Sequence, residues 1–173
     1  MIREVVQVES LHNGKKRYLF DSGETCLLYP KEAARFQLTD HAMIDEEQWQ
    51  LLCEQVLLPR AKHRVLYLLE RMDRTEQQLR LKLRQDGYPR QVIDQVLSYT
   101  AEYHYTDDLR YANAYIRQHQ EKKSRRQMAE ALRQKGIAGQ VVDQALEESL
   151  TAEPGCLIRS FLDRKGYDPG RAD

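Results

Sequence analysis

The hydrophobic positions of this chain change their period along its length. Near the N-terminus they crowd into short β-branched and aromatic runs. Beyond about residue 45 they recur at three- and four-residue spacing. Val5, Val6 and Val8 make the first run, Tyr18-Leu19-Phe20 the second, and Thr25-Cys26-Leu27-Leu28-Tyr29 a third. His12-Asn13-Gly14-Lys15 separates the first two, and Asn-Gly tolerates the positive φ that a tight hairpin needs. Asp21-Ser22-Gly23 is a second turn. The pattern predicts a small antiparallel meander, which is marginal alone and should pack on a helix. Pro30 opens a polar helical stretch through about Phe36. Asp45-Glu46-Glu47 is an acid-rich helix start suited to the positive end of the helix dipole, with Trp49, Leu52 and Val56 on one face. Pro59 restarts the chain, and Val65, Leu66, Leu69 and Met72 follow at helical spacing.

Two later segments align at an offset of 49 residues. Thr75 to Leu79, Leu83, Gly87-Tyr88 and Val92-Ile93-Asp94-Gln95-Val96-Leu97 make the first copy. Ser124 to Met128, Leu132, Gly136-Ile137 and Val141-Val142-Asp143-Gln144-Ala145-Leu146 make the second. Cap, apolar positions, glycine and the Asp-Gln pair fall in step, which marks an internal repeat. Thr75 and Ser124 are N-caps with Gln78 and Gln127 three residues on, the spacing of a capping box. Gly87 and Gly136 end the helix, because glycine enters the left-handed conformation without a Cβ clash. A third helix begins near Pro89 or Gly139, and the first helix of each unit spans about 60–73 or 107–119. Asp107 is an N-cap for the second unit. Ile158, Leu162, Lys165, Gly166 and Tyr167 match Met128, Leu132, Lys135, Gly136 and Ile137 as a partial third copy.

The expected fold is mostly α: tandem three-helix repeats in an elongated array, preceded by a small N-terminal antiparallel β meander. The boundaries place the meander and a short helix in 1–40, a connecting helix in 41–58, repeats in 59–104 and 105–149, and the partial repeat in 150–173. An apolar share of 41% and a charged share of 31% suit such an array, because each unit buries only one face against its neighbour.

Charge alters the picture. Twenty-seven basic and 27 acidic side chains cancel overall, but residues 1–58 carry a net of −4 and residues 60–135 a net of +7. A basic middle favours nucleic acid or an acidic protein groove as partner. Cys26, Cys53 and Cys156 are far apart and odd in number, with no CxxC and no histidine at ligand spacing. That argues against a disulfide framework and a structural zinc site. No apolar run is long enough for a signal peptide or a membrane span, so a cytoplasmic protein is expected. No glycine-rich phosphate loop occurs, and His12, His41, His63, His104 and His119 are scattered. No catalytic residue, metal site or cofactor is therefore expected. Asp107-Asp108 is a poor metal site, since adjacent helical residues point about 100° apart.

The sharpest candidate surface is Arg110, Arg117, Lys122, Lys123, Arg125, Arg126, Arg133 and Lys135, eight cations against Glu121 and Glu130 in 109–135. Arg80, Lys82 and Arg84 form a weaker matching set in the first unit. The bland reading of both is solvated helix face. The functional one is contact with carboxylates or phosphates, which arginine forks bidentately. Tyr99, Tyr103, Tyr105, Tyr111 and Tyr115 gather around the junction of the copies, where packing is a better expectation than base stacking.

The tracts Leu57-Leu58-Pro59-Arg60-Ala61-Lys62, Leu68-Leu69-Glu70-Arg71-Met72-Asp73-Arg74-Thr75-Glu76 and Leu83-Arg84-Gln85-Asp86-Gly87-Tyr88 resemble the RecX family. So do Tyr105-Thr106-Asp107-Asp108-Leu109-Arg110-Tyr111-Ala112 and the stretch from Lys123-Ser124-Arg125-Arg126 to Lys135-Gly136-Ile137. The resemblance runs from about 57 to 149, roughly half the chain. It implies a monomeric regulator of the RecA recombinase, bound along the groove of the RecA–single-stranded DNA filament. There it would inhibit ATP hydrolysis and strand exchange and so modulate recombination, DNA repair and the SOS response. Single-stranded or duplex DNA is a further implied contact, and no membrane is. Family members usually have a complete third repeat, where this chain matches about half of one. The rival class is a helical protein that binds DNA independently of RecA, through a short helix-turn-helix-like pair.

Overall fold

The computed structural model describes residues 1–152. The partial third copy at Ile158 to Tyr167 lies outside the described residues. Four strands, β1 (Ile2–Ser10), β2 (Lys16–Phe20), β3 (Thr25–Leu28) and β4 (Met43–Asp45), form one antiparallel sheet in the order β3-β2-β1-β4. The β1–β2 turn is the expected one. Gly14 sits at φ +78°, Leu11 N–H donates to Lys15 C=O at 2.9 Å, and Asn13 Oδ1 accepts from Lys15 N–H at 3.2 Å. Alternation along the strands puts Val5, Tyr18, Phe20, Cys26 and Leu28 on one buried face. A short helix α1 (Pro30–Arg35) follows β3.

Helix α2 (Glu46–Leu52) opens on a capping box: Asp45 accepts from Gln48 N–H at 2.8 Å, and the Gln48 side chain accepts from Asp45 N–H at 3.2 Å. The chain does not restart at Pro59. A π-helical turn, Cys53–Leu57, joins α2 directly to α3 (Leu58–Arg71), and Leu58 N–H reaches back to Cys53 C=O. Proline has no N–H to give the helical ladder, and the wider turn lets the helix pass through it. The stretch expected as a connecting helix, 41–58, therefore holds β4 and the first half of a longer helical run.

Helices α4 (Glu76–Gln85) and α5 (Arg90–Glu102) complete the first repeat, and α6 (Asp108–His119), α7 (Arg125–Gln134) and α8 (Gly139–Ala152) the second. By contacts the chain forms two compact units. The first is Met1–Arg74 with Gln78–Thr106, and the second is Thr75–Gln77 with the chain from Asp107. The first unit's core joins the sheet face to Trp49, Leu52, Leu57, Val65, Leu79, Leu83, Val92 and Val96. Among the described residues the second is smaller, around Ala112, Ile116, Met128, Leu132, Ile137, Val142 and Ala145.

The repeat glycines do what their spacing predicts. Gly87 and Gly136 lie at φ +83° and +85°. In each, the glycine N–H bonds the carbonyl three residues back, and the next residue's N–H bonds the carbonyl five back: Leu83 for Tyr88, Leu132 for Ile137. This is the Schellman closure, which leaves an apolar side chain folded over the helix end. A Cβ added at Gly136 would meet Gln77 Cβ at 2.2 Å, and one at Gly87 would meet Leu27 Cγ at 2.7 Å. Left-handed strain is common to both. Gly136→Ala adds a collision beside a backbone, whereas Gly87→Ala pushes on the outer part of a leucine side chain. We expect Gly136→Ala to cost about 2–4 kcal/mol and Gly87→Ala about half as much, read from urea midpoints. Equal losses would show that strain alone decides.

Candidate functional site

The second unit builds its surface from three local devices. Asp107 Oδ1 caps α6 by accepting from Arg110 N–H at 3.1 Å. Ala112 and Ile116, one turn apart, bury the inner face of α6, which leaves Arg110 and Arg117 on its exposed side. The α6–α7 connection is closed by the His119 carbonyl, which accepts from the N–H groups of Lys122 at 3.0 Å and Lys123 at 2.8 Å. Ser124 then caps α7 with a full capping box. Its hydroxyl accepts from Gln127 N–H at 3.2 Å, and Gln127 Oε1 accepts from Ser124 N–H at 2.9 Å.

These devices gather Lys122, Lys123, Arg125 and Arg126 around one helix N-terminus. Lys122, Arg125 and Arg126 are exposed and Lys123 is half-buried. None of the four forms an ion pair with another described residue. The first turn of α7 has no acidic side chain. That is opposite to what helix stability favours, because the N-terminal end of the dipole attracts anions and repels cations. At the corresponding place the first repeat has Glu76, the favourable sign.

Behind this edge, Lys123 Nζ donates to Tyr115 Oη at 2.9 Å, and Lys123 and Lys135 lie 5.4 and 5.8 Å from the Tyr115 ring centre. His119 stacks on the same ring at 4.1 Å. Arg133 reaches Asp143 only at 4.0 Å. Half-burial pushes the Asp108 carboxyl above its usual range, against the lowering effect of the hydrogen bond it accepts from Glu76 N–H. Thr75, an expected N-cap, donates its hydroxyl to the Lys135 carbonyl at 2.7 Å.

The first unit's matching set behaves differently. Arg80 is held by Asp94 at 2.6 Å, with Arg90 at 3.8 Å from the same carboxylate, while Lys82 is half-buried and Arg84 exposed on α4. Tyr99, Tyr103 and Tyr105 cluster within this unit, with ring centres 4.8–6.5 Å apart and Lys62 Nζ 4.3 Å from the Tyr99 ring. Sequence reasoning passed over a stripe on α3, Arg60, Arg64, Tyr67 and Arg71. Its signal was there to read, as basic and aromatic residues spaced four, three and four apart.

Among the described residues no group of three or more His, Cys, Asp or Glu side chains is placed to hold a metal. Cys26 and Cys53 are free and buried, and burial raises both thiols, Cys53 to about 12. They stay protonated at neutral pH and are poor nucleophiles. No helix among the described residues is long and apolar enough to cross a membrane.

Fold and surface together define a tandem three-helix repeat protein with a small N-terminal sheet and, on its second unit, a cationic edge that no described carboxylate compensates. Family models described as the first and second three-helix domains of RecX match residues 61–99 and 107–146. The chain belongs to the RecX family. Regulatory protein RecX of Clostridium tetani is 26% identical over 147 residues, 84% of this chain and 68% of that protein. Its namesake in Vibrio parahaemolyticus is 36% identical over 89 residues, 51% of this chain and 57% of that protein. A crystal structure of regulatory protein RecX shares the fold with a TM-score of 0.56 at 22% identity, covering 96% of this chain and 86% of that one.

Proposed function

We propose that this protein is a cytoplasmic regulator of the RecA recombinase that acts by binding and has no catalytic step of its own. It docks on the RecA–single-stranded DNA filament and inhibits ATP hydrolysis and strand exchange, with recombination, repair and the SOS response as the processes it tunes. One observation carries this reading: four cations surround the α7 N-cap with no acidic partner among the described residues and against the helix dipole. A protein keeps such an arrangement where an external anion completes it. Carboxylates of a protein groove and phosphates of the enclosed strand both do so. Contacts spread over two repeats add as multivalent binding, so each alone need only be weak. A protein wedged between neighbouring filament subunits opposes the motions that ATP turnover requires.

The direct test is a titration of RecA's DNA-dependent ATPase with the purified chain. Turnover should fall as the protein approaches the concentration of RecA. An unchanged rate at several-fold molar excess rules the proposal out.

A further inference from the structure

A second cationic feature lies in the first unit, apart from the edge described above. Helix α3 buries Ala61, Val65 and Leu68. Its outer stripe, Arg60, Arg64, Tyr67 and Arg71, runs for about 16 Å at 1.5 Å per residue. Arginine and aromatic groups interleave along it. The Arg64 and Arg71 guanidinium carbons lie 5.9 and 4.7 Å from the Tyr67 ring centre. At the other end, Arg60 and the hairpin residue Lys15 lie 5.5 and 5.1 Å from the Tyr29 ring centre.

The β1–β2 hairpin and the residues after α4 border this stripe and form with it an open cleft of about 520 Å³. Its polar lining is mainly basic: Lys15, Arg17, Arg60, His63 and Arg64, with Asp86 the single carboxylate. Leu11, Leu27, Tyr67 and Tyr88 supply its apolar walls. Each arginine is fixed by one acid: Arg17 by Glu9 at 3.0 Å, Arg60 by Glu32, and Arg64 by Asp86 at 2.8 Å. Arg64 makes that pair through Nε, so its two terminal nitrogens remain for a forked contact. Lys15 forms no ion pair with another described residue. Tyr67 is 41% exposed at the rim.

From this cleft we infer a binding site for a nucleotide. Its phosphate meets Lys15 and the free edge of Arg64, and its base packs on Tyr67 within the cleft. Three properties select that ligand. The volume falls within the range of small-molecule sites, roughly 300–1,000 Å³. The anchored arginines present donors without further ordering. The partly exposed Tyr67 offers a stacking face of the kind that base binding uses. The nucleotide is either one unit of a single strand or a free mononucleotide, and the two share the same chemistry. This inference does not depend on how the protein acts on RecA.

The test uses the full chain and a short fluorescent oligothymidylate followed by anisotropy, with thymidine monophosphate and inorganic phosphate as competitors. Tyr67→Ala and Lys15→Glu should each weaken oligonucleotide binding roughly tenfold. Tyr67→Phe should restore it, because the ring face is kept. Unchanged urea midpoints in these surface variants separate lost binding from lost fold. Competition by the mononucleotide identifies the free ligand as an occupant. Resistance to it, with the variant losses intact, identifies the strand. Either outcome supports the site. Full binding in Tyr67→Ala, or displacement by inorganic phosphate as effective as that by the mononucleotide, overturns it.

Discussion

Trp49→Ala should destabilise the first unit by about 3–5 kcal/mol, the range for deleting a fully buried large aromatic. Trp49 is completely buried, and three parts of the unit meet on it. Phe20 from β2 stands edge-on at 5.1 Å and 77°. The Arg3 guanidinium from β1 lies 4.7 Å from the ring centre, held there by Glu24 at 2.8 Å and Glu46 at 2.7 Å. The indole Nε1–H donates to Gln91 of α5 at 3.2 Å, and Gln91 in turn donates to Gln50 at 2.7 Å. Alanine removes the edge-to-face contact, opens a cavity between sheet and helices, and takes away the donor to Gln91. Trp49→Phe keeps a ring against Phe20 and should cost about half as much. Chemical unfolding followed by circular dichroism measures both, since Trp49 is the only tryptophan and its fluorescence goes with it. A loss under about 1 kcal/mol for alanine would mean that the sheet is not anchored through this side chain.

That anchor also marks how far the sequence could be read. Trp49, Leu52 and Val56 were legible as one helix face, but not the sheet that covers it. Local devices read well because their partners are close in the chain. The Ser124–Gln127 box, the Asp107 cap, the Asn13-Gly14 turn and the glycine closures at 87 and 136 each involve residues within five of one another. Strand β4 is the opposite case. Nothing in Met43-Ile44-Asp45 signals a strand, and it exists because Ile2, Arg3 and Glu4 pair with Asp45, Ile44 and Met43. Pro59 misled for a related reason. A proline forbids one ladder hydrogen bond, yet the chain has the option of a π turn, which only tertiary packing selects.

The surface divides in the same way. The basic character of 109–135 was visible from composition. What composition hides is which charges are already spent. Arg80 is answered by Asp94, fourteen residues away on the next helix. Lys122 and its neighbours at the α7 N-cap are not answered by any described carboxylate. The cleft of the first unit needs a hairpin, a helix and a loop to converge, so its members were ordinary surface residues until the fold brought them together.

Reversing Lys122, Lys123, Arg125 and Arg126 to glutamate should raise the concentration needed for half-inhibition of RecA's ATPase by at least about tenfold, or abolish inhibition, while leaving the fold intact. The second half of this expectation gives the experiment its force. Most charge reversals at a binding surface also disturb some internal pair, so lost activity and lost structure are confounded. Here the cations have no described carboxylate partner to lose, the one internal contact given up is that of Lys123 with Tyr115, and glutamate in the first turn of α7 would align with the helix dipole instead of opposing it. The urea midpoint should therefore hold or rise slightly as inhibition disappears. Raising the salt concentration should weaken inhibition by the natural chain and have less effect on any that survives in the variant, because screening acts on the charges that were removed. Arg80→Ala is the contrasting variant. Its charge is balanced by Asp94, so it should shift inhibition far less. A folded quadruple variant that inhibits at the natural concentration would show that the α7 edge does not touch the filament.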